Sequence, residues 1–197
     1  MKISKQQQCD RFITISAMVT VALFAFASFA LGQTPDARPA FASLAKDAQM
    51  LVLSWLNRDC GADDKLVLED RLKAIGAKLE PVFWEAYRLG PTASSLELDR
   101  ANIQKRYKER QAWLAQDGRQ LFGAQETERL MKVSVEQYTR KETANIVVGY
   151  KTTAILGLGL VGTQGSLIEL ERIAKDPDMP AAIAARQAIA AMKARSR

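Results

Sequence analysis

The chain has 197 residues, 28 of them basic and 22 acidic, for a net charge of +6; 48% are hydrophobic, two are cysteine and none is histidine. Without histidine the commonest general base and the commonest metal ligand are both missing. At the N-terminus Lys2, Lys5 and Arg11, set against Asp10, precede Phe12 to Leu31, twenty residues without a charge. A basic start, an apolar centre and the small residues Ala30-Leu31-Gly32 are the layout of a secretory signal cleaved before Gln33. The run is also long enough to cross a bilayer, so the alternative expectation is an anchor that holds residues 12–31 in the inner membrane. Either way the positive flank stays in the cytoplasm, and the rest is expected to be exported, periplasmic or extracellular. There is no Leu-x-x-Cys lipobox.

Removal of residues 1–32 takes three basic residues and one acidic residue with it, leaving 165 residues and a net charge of +4. That length suits one domain with a real core. The charge is mild, and export argues against a nucleic-acid partner. Cys9 lies in the leader, so the remainder holds only Cys60: no internal disulfide, zinc or iron–sulfur site can form. Residues 33–40 read as a Pro-containing linker, and residues 41–194 as one helical domain with a frayed tail at 195–197.

Phe41 to Leu56 is predicted to be the first helix, with Leu44, Ala48, Leu51, Val52 and Trp55 on one face at three- and four-residue steps. Cys60 follows in the polar turn Asn57 to Asp64, where a partly covered lone thiol is the bland reading and a reactive or cross-linking thiol the sharper one. Asp63-Asp64 opens the next helix, because negative charge suits the free N–H groups of a first turn; a catalytic carboxylate pair is the competing reading. Leu72 to Gly90 then reads as helix, glycine, short link, a helix started by Pro81 and a Gly90-Pro91 stop.

Ser94 to Gln116 is a predicted helix, with Ser94 and Glu97 as a capping box and Gly118 as the stop. It carries Arg100, Lys105, Arg106, Lys108 and Arg110 against Asp99 and Glu109, interleaved with Tyr107 and Trp113. Cations beside aromatics would suit contact with anionic groups, so Arg100, Lys105, Arg106, Arg110 and Trp113 are the candidate partner-binding residues. An ordinary solvated face, with Ile103, Tyr107 and Leu114 turned inward, has the same composition. Gln125 to Tyr138 is a further amphipathic helix, and Thr139-x-x-Glu142 a second capping box, which predicts a break before Ala144.

Ala144 to Lys193 reads as helix, glycine turn, helix, proline-bounded loop and helix. Its apolar positions include Ile155, Leu160, Leu167, Ile168, Leu170, Ile173, Ile183, Ala188 and Met192. Gly157-Leu-Gly159-Leu-Val-Gly162 also fits the dinucleotide fingerprint G-x-G-x-x-G, with Asp176 or Asp178 near the offset of a ribose-binding acid. That fold needs a second strand carrying the acid, where this chain has Asp-Pro-Asp-Met-Pro and an alanine-rich run; only 19 residues follow Asp178. No cofactor is therefore expected. Leu-Gly-Leu-Gly-x-x-Gly, an apolar helix, an Asp-Pro loop and Ala-Ala-Arg186-x-Ala-Ile-Ala instead resemble a HEAT repeat of the short bacterial kind, with Leu72 to Gly90 as a weaker copy. The resemblance implies an armadillo-like, all-α fold of stacked antiparallel helical hairpins, about seven helices after the signal segment. It gives the glycines two roles: a corner between Ile155 and Ser166, and close helix approach.

No G-x-S-x-G serine and no Gly-Lys-Ser/Thr phosphate loop is present, so no catalytic or metal-binding residue is nominated. The expectation is an exported, non-catalytic binding or scaffold module for a protein partner, meeting the membrane only through an uncleaved leader. The alternatives are a cell-envelope enzyme or accessory subunit using carboxylates or Cys60, and a membrane-anchored assembly subunit.

Overall fold

A computed structural model describes residues 38–57, 65–177 and 179–195. Residues 1–37, including the segment expected to be a leader and Cys9, lie outside the described residues, as do Cys60, Asp63, Asp64 and Asp178. Those described are helical throughout, with no strand among them: eight helices of eight residues or more, and two short ones. In chain order these are α1 (Pro39–Ala42), α2 (Lys46–Leu56), α3 (Lys65–Ile75), α4 (Glu80–Leu89), α5 (Ala93–Trp113), α6 (Arg119–Phe122), α7 (Ala124–Met131), α8 (Val135–Val161), α9 (Gln164–Lys175) and α10 (Ala182–Arg195). A 3-10 turn, Gly76–Leu79, joins α3 to α4, and a π turn, Leu114–Gly118, joins α5 to α6.

The helix α8 is the hub, packing most extensively on α10 and α4 and then on α5, α3 and α2. Its second half carries Tyr150, Ala154, Ile155, Leu158 and Val161 into a core shared with Val52, Trp55, Leu72, Phe83, Leu170, Ile173 and Met192. By length and composition Val135–Val161 could cross a membrane, but from Tyr150 onward its apolar side chains fill this core. Trp55 completes its burial by donating its ring N–H to the carbonyl of Thr153 at 3.0 Å.

Beyond the core, α5 and the first half of α8 run antiparallel as an arm. At its base Gly90 lies against Val147 and Lys151. Further out the Tyr107 hydroxyl donates to the carbonyl of Val133 at 3.0 Å. The 21 residues of α5 span about 31 Å at 1.5 Å per residue. Only Ile103 is fully buried along that length, and Leu114 and Thr127 are buried at the far end, where α7 folds back after Gly123.

Helix ends in the body are closed by side chains from neighbouring helices. Glu85 of α4 accepts from the N–H groups of Ala40 and Phe41 at 3.1 and 2.9 Å, at the start of α1. Glu80 accepts from the N–H of Thr163 at 3.0 Å and from the hydroxyls of Thr163 and Ser166, at the start of α9. Arg186 donates to the carbonyl of Ala174 at 2.9 Å at the end of α9. Arg195 donates to the carbonyls of Gly159, Leu160 and Gly162 and so caps the end of α8. Arg195→Ala is expected to cost about 1 kcal/mol, below the usual range for hydrogen bonds to charged groups because the side chain is exposed; urea unfolding measures it.

Several local expectations are corrected. Phe41 to Leu56 is two helices, α1 and α2, divided at Ser43 to Ala45. The cap of α5 is Thr92, which accepts from the N–H of Ser95 at 3.1 Å, while Glu97 pairs with Arg100. Gly118 is not a stop; it is buried in the π turn, and the chain reverses at Gly123 with φ +81°. Gln125 to Tyr138 is broken at Lys132 to Ser134, and the capping box is Ser134 with Gln137. No break follows Thr139, because α8 is continuous through it.

Gly157 and Gly159 lie inside α8, not at a corner; the turn is confined to Gly162 and Thr163. The expected close approach is present, since a Cβ on Gly159 would stand 2.8 Å from the Cα of Ala188 in α10. Thr152 to Leu156 is helical, so the strand that the dinucleotide reading needs is not there. Ile168 and Ile183, placed in the apolar stripes, face solvent at 80% and 64% exposure.

Candidate interaction surface

The five candidate partner-binding residues all lie on α5, but they do not share one face. Arg106, Arg110 and Trp113 follow one another at four- and three-residue steps, whereas Arg100 and Lys105 point elsewhere. Lys105 sits 3.9 Å from Glu109, both well exposed. Arg110 is half-buried and tied into the arm: it donates to the carbonyl of Leu130 at 3.2 Å, and its guanidinium stands 5.7 Å from the Tyr138 ring centre. Arg110 therefore joins α5 to α7 and α8, and its loss would loosen the arm itself.

Arg100 borders an open cleft of about 450 Å³ between the two shafts of the arm. Gln104 lines it from α5; Val135, Glu136, Thr139, Arg140 and Thr143 line it from α8. The α8 contributors recur every three or four residues, which puts them on one face of the rod. Arg100 is 3.1 Å from Glu97, while Arg140 is exposed and makes no ion pair with any described residue. Glu136 is the acid in the cleft, and hydrogen bonds from the Ser134 hydroxyl and from its own N–H hold its carboxyl below the usual range. Two guanidiniums, two threonine hydroxyls and an amide can bind a carboxylate side chain or a similar oxyanion, while Glu136 in the same lining opposes it.

Arg140, Thr139, Thr143 and Gln104 were not among the sequence candidates. Their signal was present as the i, i+4 spacing of Thr139 and Thr143 around Arg140. Reading Thr139 with Glu142 as a helix start concealed it.

At the far end of the arm, Trp113 packs edge-on to Phe122 with ring centres 5.8 Å apart. Trp113, Leu121 and Phe122 are 37%, 59% and 47% exposed. No group of three Cys, Asp or Glu among the described residues could hold a metal ion. Comparison of the chain with family models, with curated proteins and with solved structures finds no match.

Proposed function

We propose that this chain is an exported, non-catalytic binding module that holds a protein partner along its projecting arm, on a helical body of HEAT-like character. The observation that carries the reading is the arm. It adds little to the core, leaves the outer face of a 21-residue helix exposed, and bears the Arg100/Arg140 cleft. Surfaces of this kind act through shape and a few anchoring side chains and need no catalytic group. The unit that supports the HEAT-like part is α9 and α10, packed closely on each other after the Gly162-Thr163 turn, with Arg186 closing the end of α9.

An acidic segment of a partner, extended or helical, is the occupant whose chemistry suits two guanidiniums flanking hydroxyl donors. Affinity capture from an envelope extract tests this, comparing the unmodified chain with Arg100→Glu/Arg140→Glu. Both residues are exposed, so the fold is expected to survive, as thermal unfolding would show. Capture of the partner should fall by about thirtyfold or more, the scale of a central hot spot. An unchanged partner set would exclude the cleft as the contact.

A further inference from the structure

We infer that the far end of the arm is a membrane-docking tip, inserting Trp113, Leu121 and Phe122 into the surface of an anionic bilayer. The inference goes beyond the partner-binding cleft and uses different residues. The chain reverses at Gly123 with φ +81°, a conformation that suits glycine, immediately after Leu121 and Phe122. The reversal leaves both side chains at the extremity of α6, with Trp113, the last residue of α5, against the Phe122 ring. Two aromatics and a leucine on a protruding turn form a compact wedge. An amphipathic ring at headgroup level with neighbouring apolar groups about 5 to 10 Å deep is the usual interfacial arrangement.

Charge selects lipid as the occupant. Residues 105–132 hold seven basic and four acidic side chains, a net +3 that is half the charge of the whole chain. Three of those acids are already matched: Glu109 by Lys105, Glu126 by Arg129 and Glu128 by Lys132. Arg106 and Arg119 are exposed and make no ion pair with any described residue. They flank the wedge, Arg106 on the Trp113 face of α5 and Arg119 in the turn of helix that carries Leu121 and Phe122. An exposed apolar wedge flanked by two cations complements a sheet of anionic headgroups, whereas a protein anchor is expected to meet a pocket. Export through Phe12–Leu31 would bring the tip within reach of such a surface.

The full chain is reconstituted into vesicles of phosphatidylcholine with or without phosphatidylglycerol, with brominated acyl chains as the quencher. The emission of Trp113 is taken as the difference between the unmodified chain and Trp113→Phe. This reading is independent of any anchoring by the leader. In brominated vesicles containing phosphatidylglycerol the Trp113 component should fall more than twofold; in phosphatidylcholine alone it should change little. Arg106→Glu/Arg119→Glu should lower the docked-to-free ratio more than tenfold, from about fivefold for each cation withdrawn. Leu121→Ser/Phe122→Ser should abolish quenching while far-UV circular dichroism stays native. Arg100→Glu/Arg140→Glu should quench like the unmodified chain, which separates this result from the fate of the cleft. Absence of bromine quenching in anionic vesicles by a natively folded chain would overturn the inference. Shielding of Trp113 from acrylamide by a lipid-free extract, without bromine quenching, would overturn it in favour of a protein partner.

Discussion

Gly159→Ala is expected to cost about 2 to 3 kcal/mol of folding stability, and Gly149→Ala in the same helix to add up to about 1 kcal/mol. Both substitutions remove the conformational freedom of a glycine in a helix interior, which by itself favours folding. The surroundings decide the sign. A Cβ at Gly149 meets nothing within 4 Å, so only the propensity gain remains. A Cβ at Gly159 stands 2.8 Å from the Cα and 3.2 Å from the Cβ of Ala188. Main chain cannot rotate away as a side chain can, so α10 has to move off α8 as a unit. That movement would disturb Ala184, Ala185, Ala188 and Met192, and would pull Arg195 from the carbonyls it closes. Urea unfolding of the two variants beside the parent gives the comparison directly. If both alanines raised stability, the close α8/α10 approach would be wrong.

This contrast also explains what could be read from the sequence and what could not. Gly76 and Gly90 were legible as helix ends because each acts within its own few residues, with φ of +71° and +74° and a proline nearby. The α9–loop–α10 segment was legible for the same reason, since Asp176-Pro177 cannot continue a helix. Gly157 and Gly159 carry no such local mark. Whether a helical glycine bends the chain or receives a neighbour depends on Phe83 and Ala188, which stand far away in sequence. A local signature can also be ambiguous: Ser134-x-x-Gln137 and Thr139-x-x-Glu142 have the same spacing, and only the first starts a helix. Thr139 sits within a rod that packs on α5, α4 and α10 along its length, and that tertiary support overrides the local alternative. For the candidate surface, the sequence placed the five residues on one helix but did not show which faces they take. Arg100 lines the cleft only because α8 continues past Thr139, and Arg110 is tied to Leu130 and Tyr138 only because α7 folds back.

Phe83→Ala is expected to be the most damaging single change, at about 3 to 5 kcal/mol, a large part of the 5 to 15 kcal/mol that holds a typical domain together. Phe83 is fully buried, and its ring occupies the space left by Gly157, where a Cβ would lie 2.7 Å from the ring edge. The pair is thus a knob and a notch that fix how α4 crosses α8, and it predicts a coupling that a simple cavity would not. Gly157→Ala alone should destabilise by about 1 to 2 kcal/mol, overpacking outweighing the helix-propensity gain. Phe83→Leu alone should also destabilise, because it leaves part of the notch empty. Together they should cost less than the sum by at least about 1 kcal/mol, since the alanine methyl enters the space that the smaller leucine vacates. Equilibrium unfolding of the four proteins in the cycle measures that term. A coupling near zero would mean that the ring and the notch do not meet. The hub role of α8 would then lose its main contact with α4, and with it the framework from which the arm projects.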